Sequence, residues 1–308
     1  MIGHADVLPI PRLLAGRLDA AASAFLAEAG PRIDFSQPPG EAALVPADSV
    51  SWRIFKNQVA LFIGGVTAVL LEMAEPKVRD GVWQHSSFRT DALKRMQRTG
   101  LAALMTVYGA RSQAEKMIAG VVSRHGRVTG RTTDGEAYEA NDTELLDWVQ
   151  ATASYGFMRA YHIYAAPLTQ TERDAFLAEA KPAAELYGAA GAPTSERQLD
   201  ALMEQKKERL VPSPVVFEFL DIMSRVPALP ALARPLQILF LKAAVELLPP
   251  WLRARLGLGR QWSLSFLERQ TVKVAAATAD RLLLRSLPPV QSCRRLGLPD
   301  DYLYRRAH

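Results

Sequence analysis

Apolar residues recur at intervals of three and four positions along nearly every long segment of this chain. That spacing places them on one face of an α-helix, whereas the alternation typical of a half-buried strand occurs only around Asp134 and Gly135. The pattern therefore predicts an all-α fold with one short hairpin. The predicted helices span residues 11–29, 52–74, 91–108, 111–126, 143–165, 170–188, 195–209, 214–224, 232–247 and 262–286.

Proline and glycine interrupt the pattern between these helices, but no repeat period and no low-complexity linker divides the chain. We therefore expect one domain over residues 1–308, with a core over about 50–258 and peripheral helices at both ends. Asp134-Gly135 suits a tight hairpin turn, because such turns need residues that accept positive φ. Asn141 is expected to cap the helix that follows the hairpin.

The composition is that of an ordinary soluble globular protein, with 49% hydrophobic and 22% charged residues. Lys and Arg exceed Asp and Glu by 37 − 32 = 5, which is a mild basic bias. Neither a basic stripe interleaved with aromatic residues nor a known nucleic-acid-binding module is present, so we expect no nucleic-acid partner. The single cysteine, Cys293, excludes an internal disulfide and the C-x-x-C-H motif of covalent haem attachment, and it fits a cytoplasmic setting.

Membrane-spanning segments are not predicted either. The N-terminal residues contain no apolar run free of charge, so they do not resemble a signal peptide. The most apolar stretch, LPALARPLQILFLKAAVELLPPWL, is interrupted by Arg234, Lys242 and Glu246. It predicts a core helix or a helix that lies weakly on a membrane surface, and no transmembrane span.

His125 is the first candidate for chemistry, because it falls on the apolar face of a predicted helix. On the 111–126 helix that face consists of Ala114, Ile118, Val121, Val122 and His125. A buried imidazole needs a partner; from spacing alone a carbonyl or carboxylate is the more frequent one, and metal or haem ligation is the alternative. His162 is the second candidate ligand. It shares a stripe of the 143–165 helix with Trp148, Thr152, Tyr155 and Arg159.

The 91–108 helix carries a stripe that is polar at one end and small in the middle. It is formed by Arg95, Thr99, Ala102 and Thr106. Small side chains leave room for a flat group, and the guanidinium groups of Arg95 and Arg98 suit bidentate pairing with carboxylates such as haem propionates. The alternative for the two arginines is a solvated basic turn.

Gly64 and Gly65 stand inside a strong helical pattern. Each glycine costs a helix about 1 kcal/mol relative to alanine. The pair therefore indicates a close approach by another helix or by a cofactor, and helix packing is the more frequent cause.

Other residue patterns argue against several enzyme classes. No histidine pair has H-x-x-x-H or H-E-x-x-H spacing, which argues against a zinc hydrolase. The P-loop and G-x-S-x-G motifs are also missing, so nucleotide hydrolysis and serine hydrolysis are not predicted. His85 stands near a helix boundary, where we expect a capping or surface residue.

Four ordered motifs together carry a resemblance to a known family. They are GGVTAVLLEMAEPKVRDGVWQHSSF, RMQRT, RHGRVTGRTTDGEAYEANDTELLDWVQAT and LPPWLRARLGL. In this order they make the chain resemble the oxygenase family that includes the latex clearing protein (rubber oxygenase) and the mycophenolic-acid-pathway oxygenase. The resemblance is strong from about Gly64 to Thr152 and weaker to about Leu258.

The resemblance implies a globin-like helical core that holds a b-type haem non-covalently. It implies that His125, at the family's motif histidine, is the proximal iron ligand, and that Arg95 and Thr99 lie beside the haem. Arg98 is then expected near the propionates, and Gly64 and Gly65 near the porphyrin. The expected partners are molecular oxygen and a small apolar substrate, such as an unsaturated lipid or isoprenoid, which the apolar helices around 214–247 suggest.

The chain departs from the family pattern at positions that matter for chemistry. Arg98 stands where the rubber-cleaving enzyme has a lysine that can occupy the distal iron site, and an arginine cannot ligate iron. The family's glutamate base has no match, since its register falls near Arg79, and Glu72 and Glu75 stand out of place. These departures argue against polyisoprene cleavage but not against haem binding. We therefore expect a haem-dependent oxygenase, with a non-catalytic haem or lipid carrier or sensor as the alternative.

Overall fold

The structure, a computed structural model, describes residues 7–9, 11–27, 33–229, 231 and 233–305, and it confirms the all-α prediction. The helices are α1 (Arg12–Ala27), α2 (Val50–Phe55), α3 (Gln58–Ala74), α4 (Pro76–His85), α5 (Ala92–Tyr108), α6 (Arg111–His125), α7 (Thr143–Ala160), α8 (Gln170–Glu179), α9 (Lys181–Tyr187), α10 (Glu196–Lys206), α11 (Pro214–Arg225), α12 (Gln237–Glu246), α13 (Pro250–Arg255), α14 (Phe266–Arg281) and α15 (Pro288–Arg295). A π-helical turn, Tyr161–Ala165, continues α7. Short 3-10 turns lie at Lys207–Arg209, Arg234–Leu236, Arg260–Trp262 and Tyr302–Tyr304.

The predicted hairpin is present. It pairs β1 (Thr129–Arg131) with β2 (Ala137–Glu139) in antiparallel register, with Gly130 opposite Tyr138. Gly135 in the turn has a φ of 88°, in the region that favours glycine. The hairpin leads from the end of α6 back to the start of α7, so it positions these two helices relative to each other.

Helices α3 and α7 form the centre of the core. α3 begins where the Asn57 side chain accepts a hydrogen bond from the Ala60 amide (3.0 Å), and it is apolar along nearly its whole length. α3 crosses α7 at Gly64 and Gly156, where a methyl group added to Gly64 would lie 2.7 Å from the Gly156 carbonyl oxygen. The two backbones are therefore in direct contact, and the following turns of α3 run beside α7.

Two long helices of the sequence prediction are each divided in the structure. The predicted 52–74 helix breaks between α2 and α3, because Asn57 takes an extended conformation and caps α3 with its side chain. The predicted 170–188 helix breaks at Ala180, where α8 ends and α9 begins with Pro182 in its first turn. A short polar cap and a proline are thus enough to divide a continuous apolar pattern.

Helix α4 was not predicted. It begins at Pro76, and Glu75 caps it by accepting a hydrogen bond from the Val78 amide (2.8 Å). No helix within the described ranges is by itself long and apolar enough to cross a membrane. α3 and α4 together meet those criteria of length and composition, but the chain bends by 109° between them.

The cap of α7 differs from the prediction. Asp142, not Asn141, is the capping residue, and its carboxylate accepts a hydrogen bond from the Glu144 amide (2.8 Å). The Asn141 amide group instead donates to the Val122 carbonyl oxygen in the last turn of α6 (3.1 Å). Asn141 therefore ties the hairpin to the end of α6, close to His125.

Buried charges hold the C-terminal helices on the core. Lys56 Nζ lies 3.2 Å from the Asp280 carboxylate in α14, and both side chains are buried. Arg295 in α15 is buried too, and donates hydrogen bonds to the carbonyl oxygens of Phe35 and Tyr108 (2.7 Å each). Because buried charges need partners, these contacts fix α14 and α15 in place.

Candidate functional site

His125 is the last residue of α6, and the backbone around it is fixed by hydrogen bonds. Its carbonyl oxygen accepts from the Val128 amide (2.9 Å), and the Gly126 amide donates to Val122 (3.0 Å). The apolar stripe of α6 is fully buried at Ala114 and only half-buried at His125. The helix end is therefore secured without any contribution from the imidazole, which remains available for another contact.

The His125 ring has a nitrogen with no protein partner. Nδ1 is buried and makes no hydrogen bond with any of the residues that the structure describes. Burial lowers the pKa of His125, and the positive charges of Arg95 and Arg124 lower it further. The ring is therefore held neutral, which is the form of histidine that donates a lone pair to a metal. The structure thus does not supply the carbonyl or carboxylate partner that the spacing alone favoured.

Arg95 and Thr99 contact each other on α5, as their four-residue spacing predicts. The Thr99 hydroxyl donates to the Arg95 carbonyl oxygen (2.9 Å) and accepts a hydrogen bond from the Arg95 guanidinium. Arg95 is half-buried, whereas Arg98 and Thr99 are exposed. Burial lowers the pKa of Arg95, and the Glu72 carboxylate opposes that shift. Arg95 therefore acts electrostatically on both Glu72 and His125.

Glu72 belongs to this cluster, although counting residues along the chain placed it outside. Burial raises its pKa to about 7, against the opposing effects of Arg95 and of the Thr152 hydroxyl. Thr152 Oγ1, on α7, lies 3.4 Å from Glu72 Oε1. A carboxylic acid with this pKa can either hold or release a proton near neutral pH. One feature of the sequence could have pointed to Glu72, because it is the only charged residue in the apolar helix α3.

The structure accounts for Gly64 by helix packing, the more frequent of the two causes considered. Gly64 is buried against Gly156 of α7. Gly65 is half-buried, and a methyl group there would lie 3.8 Å from the Phe157 ring. Neither contact gives support to these glycines as neighbours of a porphyrin.

His162 has a structural partner. Its Nδ1 accepts a hydrogen bond from the Leu168 amide (2.8 Å), which closes the turn after α7. Burial lowers the pKa of His162, and Arg173 and Arg159 lower it further. The lone pair of Nδ1 accepts this hydrogen bond, and in the neutral ring Nε2 carries the proton. Neither nitrogen therefore has a free lone pair. This hydrogen bond disfavours His162 as an iron ligand.

His85, predicted to be a capping or surface residue, ends α4 and is exposed, as a surface residue is. Its Nε2 lies 3.2 Å from the Tyr138 hydroxyl, which links α4 to β2. His4 and His308 lie outside the described residues. Across the described ranges, no three His, Cys, Asp or Glu side chains group in a way that could hold a metal ion. Any iron held by His125 would therefore need further ligands from a cofactor.

The site so far consists of a neutral histidine, a half-buried cation and a carboxyl group with a pKa near neutrality. The family model described as ER-bound oxygenase mpaB/B′ and rubber oxygenase, catalytic domain, matches residues 52–281. That range runs from α2 to the end of α14 and contains Glu72, Arg95 and His125. No curated protein and no solved structure matches the chain significantly. The chain therefore belongs to the family of mpaB/B′ and rubber oxygenase catalytic domains, which supports an oxygenase activity that uses molecular oxygen and a substrate.

Proposed function

We propose that the protein is a haem b-dependent oxygenase in which His125 donates its lone pair to the iron. The observation that carries this proposal is the buried Nδ1 of His125, which has no partner among the described residues. A buried nitrogen without a partner lowers the stability of the fold by about 1–3 kcal/mol, and a ligand that binds the imidazole would remove this cost. A haem supplies four nitrogen ligands from its own ring, which agrees with a site that offers one histidine and, within the part of the chain that the structure describes, no group of three ligands.

Arg95, Arg98 and Thr99 would hold the haem from α5. Propionates are carboxylates, and a guanidinium pairs with them through two parallel hydrogen bonds. Arg95 is half-buried and Arg98 exposed, so Arg95 would contribute most of the binding free energy. Thr99 already orients Arg95 through their mutual hydrogen bonds.

Glu72 would act as the proton donor and acceptor of the site. Its pKa of about 7 lets it exchange a proton at neutral pH, and general acids and bases work best under that condition. Thr152 orients the carboxyl group, and the positive charge of Arg95 stabilises its ionised form. Haem, when bound, supplies the redox chemistry, and the chain supplies axial ligation, charge and positioning.

The substrate class is proposed as a small apolar molecule. The apolar helices around 214–247, which first suggested such a substrate, are largely core, because Phe219, Phe240 and Leu241 are buried. Support instead comes from Val121 and Val122, which are half-buried on the turn of α6 before His125. Apolar side chains in this position would contact a molecule bound beside the histidine.

Oxygen consumption tests whether this is an enzyme or a carrier. Haem-loaded protein is reduced, and oxygen uptake is measured with and without a panel of unsaturated fatty acids and isoprenoid alcohols. We expect substrate-stimulated uptake that falls at least about 100-fold in Glu72→Gln, which cannot exchange a proton. Haem binding without stimulated uptake across the panel would instead favour a carrier or sensor.

A further inference from the structure

Helix α14 begins with two large apolar side chains that are open to solvent. Phe266 is 70% exposed, Leu267 is 75% exposed and Val274, two turns later, is 66% exposed. Ile238 on α12 is 44% exposed and lies one turn before Lys242, which pairs with the first turn of α14. Folding leaves these apolar surfaces in water, although large exposed apolar patches are rare on monomeric proteins.

The same part of the chain carries the excess positive charge. Residues 237–286 contain eight basic and three acidic residues, 8 − 3 = 5, which equals the formal net charge of the whole protein. Arg260, just before α14, and Lys273, next to Val274, are exposed. The three acidic side chains all have basic partners: Glu246 with Arg269, Glu268 with Lys242, and Asp280 with Lys56.

We propose that this face, formed by Phe266, Leu267, Val274, Arg260 and Lys273, docks on the surface of an anionic lipid bilayer. Phe266 and Leu267 would enter the boundary between headgroups and acyl chains, where their apolar surface leaves water. Arg260 and Lys273 would contact the anionic headgroups. Side chains so exposed protrude from the surface, and a fluid bilayer can accommodate them without a preformed pocket.

This inference does not depend on haem binding or on catalysis. If both proposals hold, docking would bring the enzyme to the medium in which apolar substrates dissolve. The charges of the face favour an anionic bilayer over a neutral one. The basic residues Arg260 and Lys273 flank the apolar side chains, and the nearby carboxylates of Glu246 and Glu268 are paired with basic residues. Binding should therefore weaken as salt screens the headgroups.

Vesicle sedimentation tests the proposal with the full chain. Wild type is mixed with phosphatidylcholine vesicles that contain or lack phosphatidylserine. We expect sedimentation with the anionic vesicles, a loss of at least about tenfold in partitioning for Phe266→Ser with Leu267→Ser, and a loss of about fivefold for each of Arg260→Gln and Lys273→Gln. Leu186→Ser, at a 41% exposed position on α9, is the matched control and should bind as wild type does.

Far-UV circular dichroism should show native helix content in every variant, because the replaced side chains are exposed. Equal partitioning of wild type and the double serine variant would overturn the proposal, and so would a failure of wild type to bind anionic vesicles. A dimer in solution that does not bind vesicles, and that the double serine variant separates, would overturn it in favour of a self-association surface.

Discussion

Gly64 and Gly156 face each other across the crossing of α3 and α7, and neither has room for a methyl group. The contact is made by backbone atoms, which cannot rotate away as a side chain can. This crossing sets the separation of the two helices that carry Glu72 and Thr152. Packing in the core and geometry in the site therefore depend on the same pair of residues.

Gly156→Ala should lower the free energy of unfolding by about 1–3 kcal/mol, because overpacking forces the helices apart. Gly120→Ala is the control, since a methyl group on that α6 glycine would meet no atom of the described residues within 4 Å. It should raise stability by up to about 1 kcal/mol through helix propensity. Urea unfolding measures both; equal effects of the two substitutions would contradict the tight crossing.

Glu72→Gln should change how stability depends on pH. The pKa of Glu72 is about 7 in the folded protein and 4.5 in its ordinary state, so the folded form retains a proton that the unfolded form loses between these values. Stability is therefore lost as pH rises from about 5 to 8. Glutamine removes this loss, which amounts to at most about 3 kcal/mol.

Urea unfolding of protein purified without added haem, at pH 5 and pH 8, measures this difference. Between pH 5 and pH 8, the unfolding free energy of wild type should fall more than that of Glu72→Gln. The variant should therefore be more stable relative to wild type at pH 8 than at pH 5. Glu115→Gln, an exposed position on α6, is the matched control. Parallel pH profiles of Glu72→Gln and wild type would show that the carboxyl group is not buried as described.

Asp280→Ala should destabilise the protein by about 3–5 kcal/mol, because it leaves the Lys56 ammonium buried without its carboxylate. Burial lowers the pKa of Lys56, and Asp280 raises it, so losing the carboxylate favours the neutral amine. Adding Lys56→Met to the variant removes the buried charge and should restore part of the lost stability. A double variant less stable than Asp280→Ala would contradict this account.

Arg95→Gln should weaken haem binding by about 10- to 100-fold, the value of a charge-assisted hydrogen bond to a carboxylate. Arg98→Gln should have less than about a threefold effect, because that guanidinium is exposed and its charge is screened. Titration of each purified variant with haem measures the dissociation constants. An equal loss in both variants, or a larger loss for Arg98→Gln, would assign the propionates to different residues.

The sequence predicted most helices because apolar spacing persists where a helix packs on a core. Helices α4, α13 and α15 escaped prediction because each begins at a proline in a segment that reads as a break. Proline fits the first turn of a helix, where its missing amide hydrogen costs nothing. Dipeptides such as Pro249-Pro250 therefore ended one prediction while starting a helix that the pattern did not show.

The site was predicted in part. Periodicity placed His125 on the face of α6 that carries the buried Ala114 and Ile118. Whether its ring has a partner depends on neighbouring elements such as the hairpin and α5, and the spacing along one helix gives no information about them. Glu72 was missed because the register along the chain does not show that α3, α5 and α7 bring Glu72, Arg95 and Thr152 together in the fold. The partner of Gly64 is likewise a contact between residues 92 positions apart in the chain, 156 − 64 = 92.

The most direct test of the central claim is the absorption spectrum of haem-loaded wild type beside His125→Ala and His162→Ala. We expect a strong Soret band in wild type and in His162→Ala, where only the hydrogen bond to Leu168 is lost. The band should collapse in His125→Ala, because the protein ligand to iron is gone. An unchanged band in His125→Ala, or collapse in His162→Ala instead, would contradict the account.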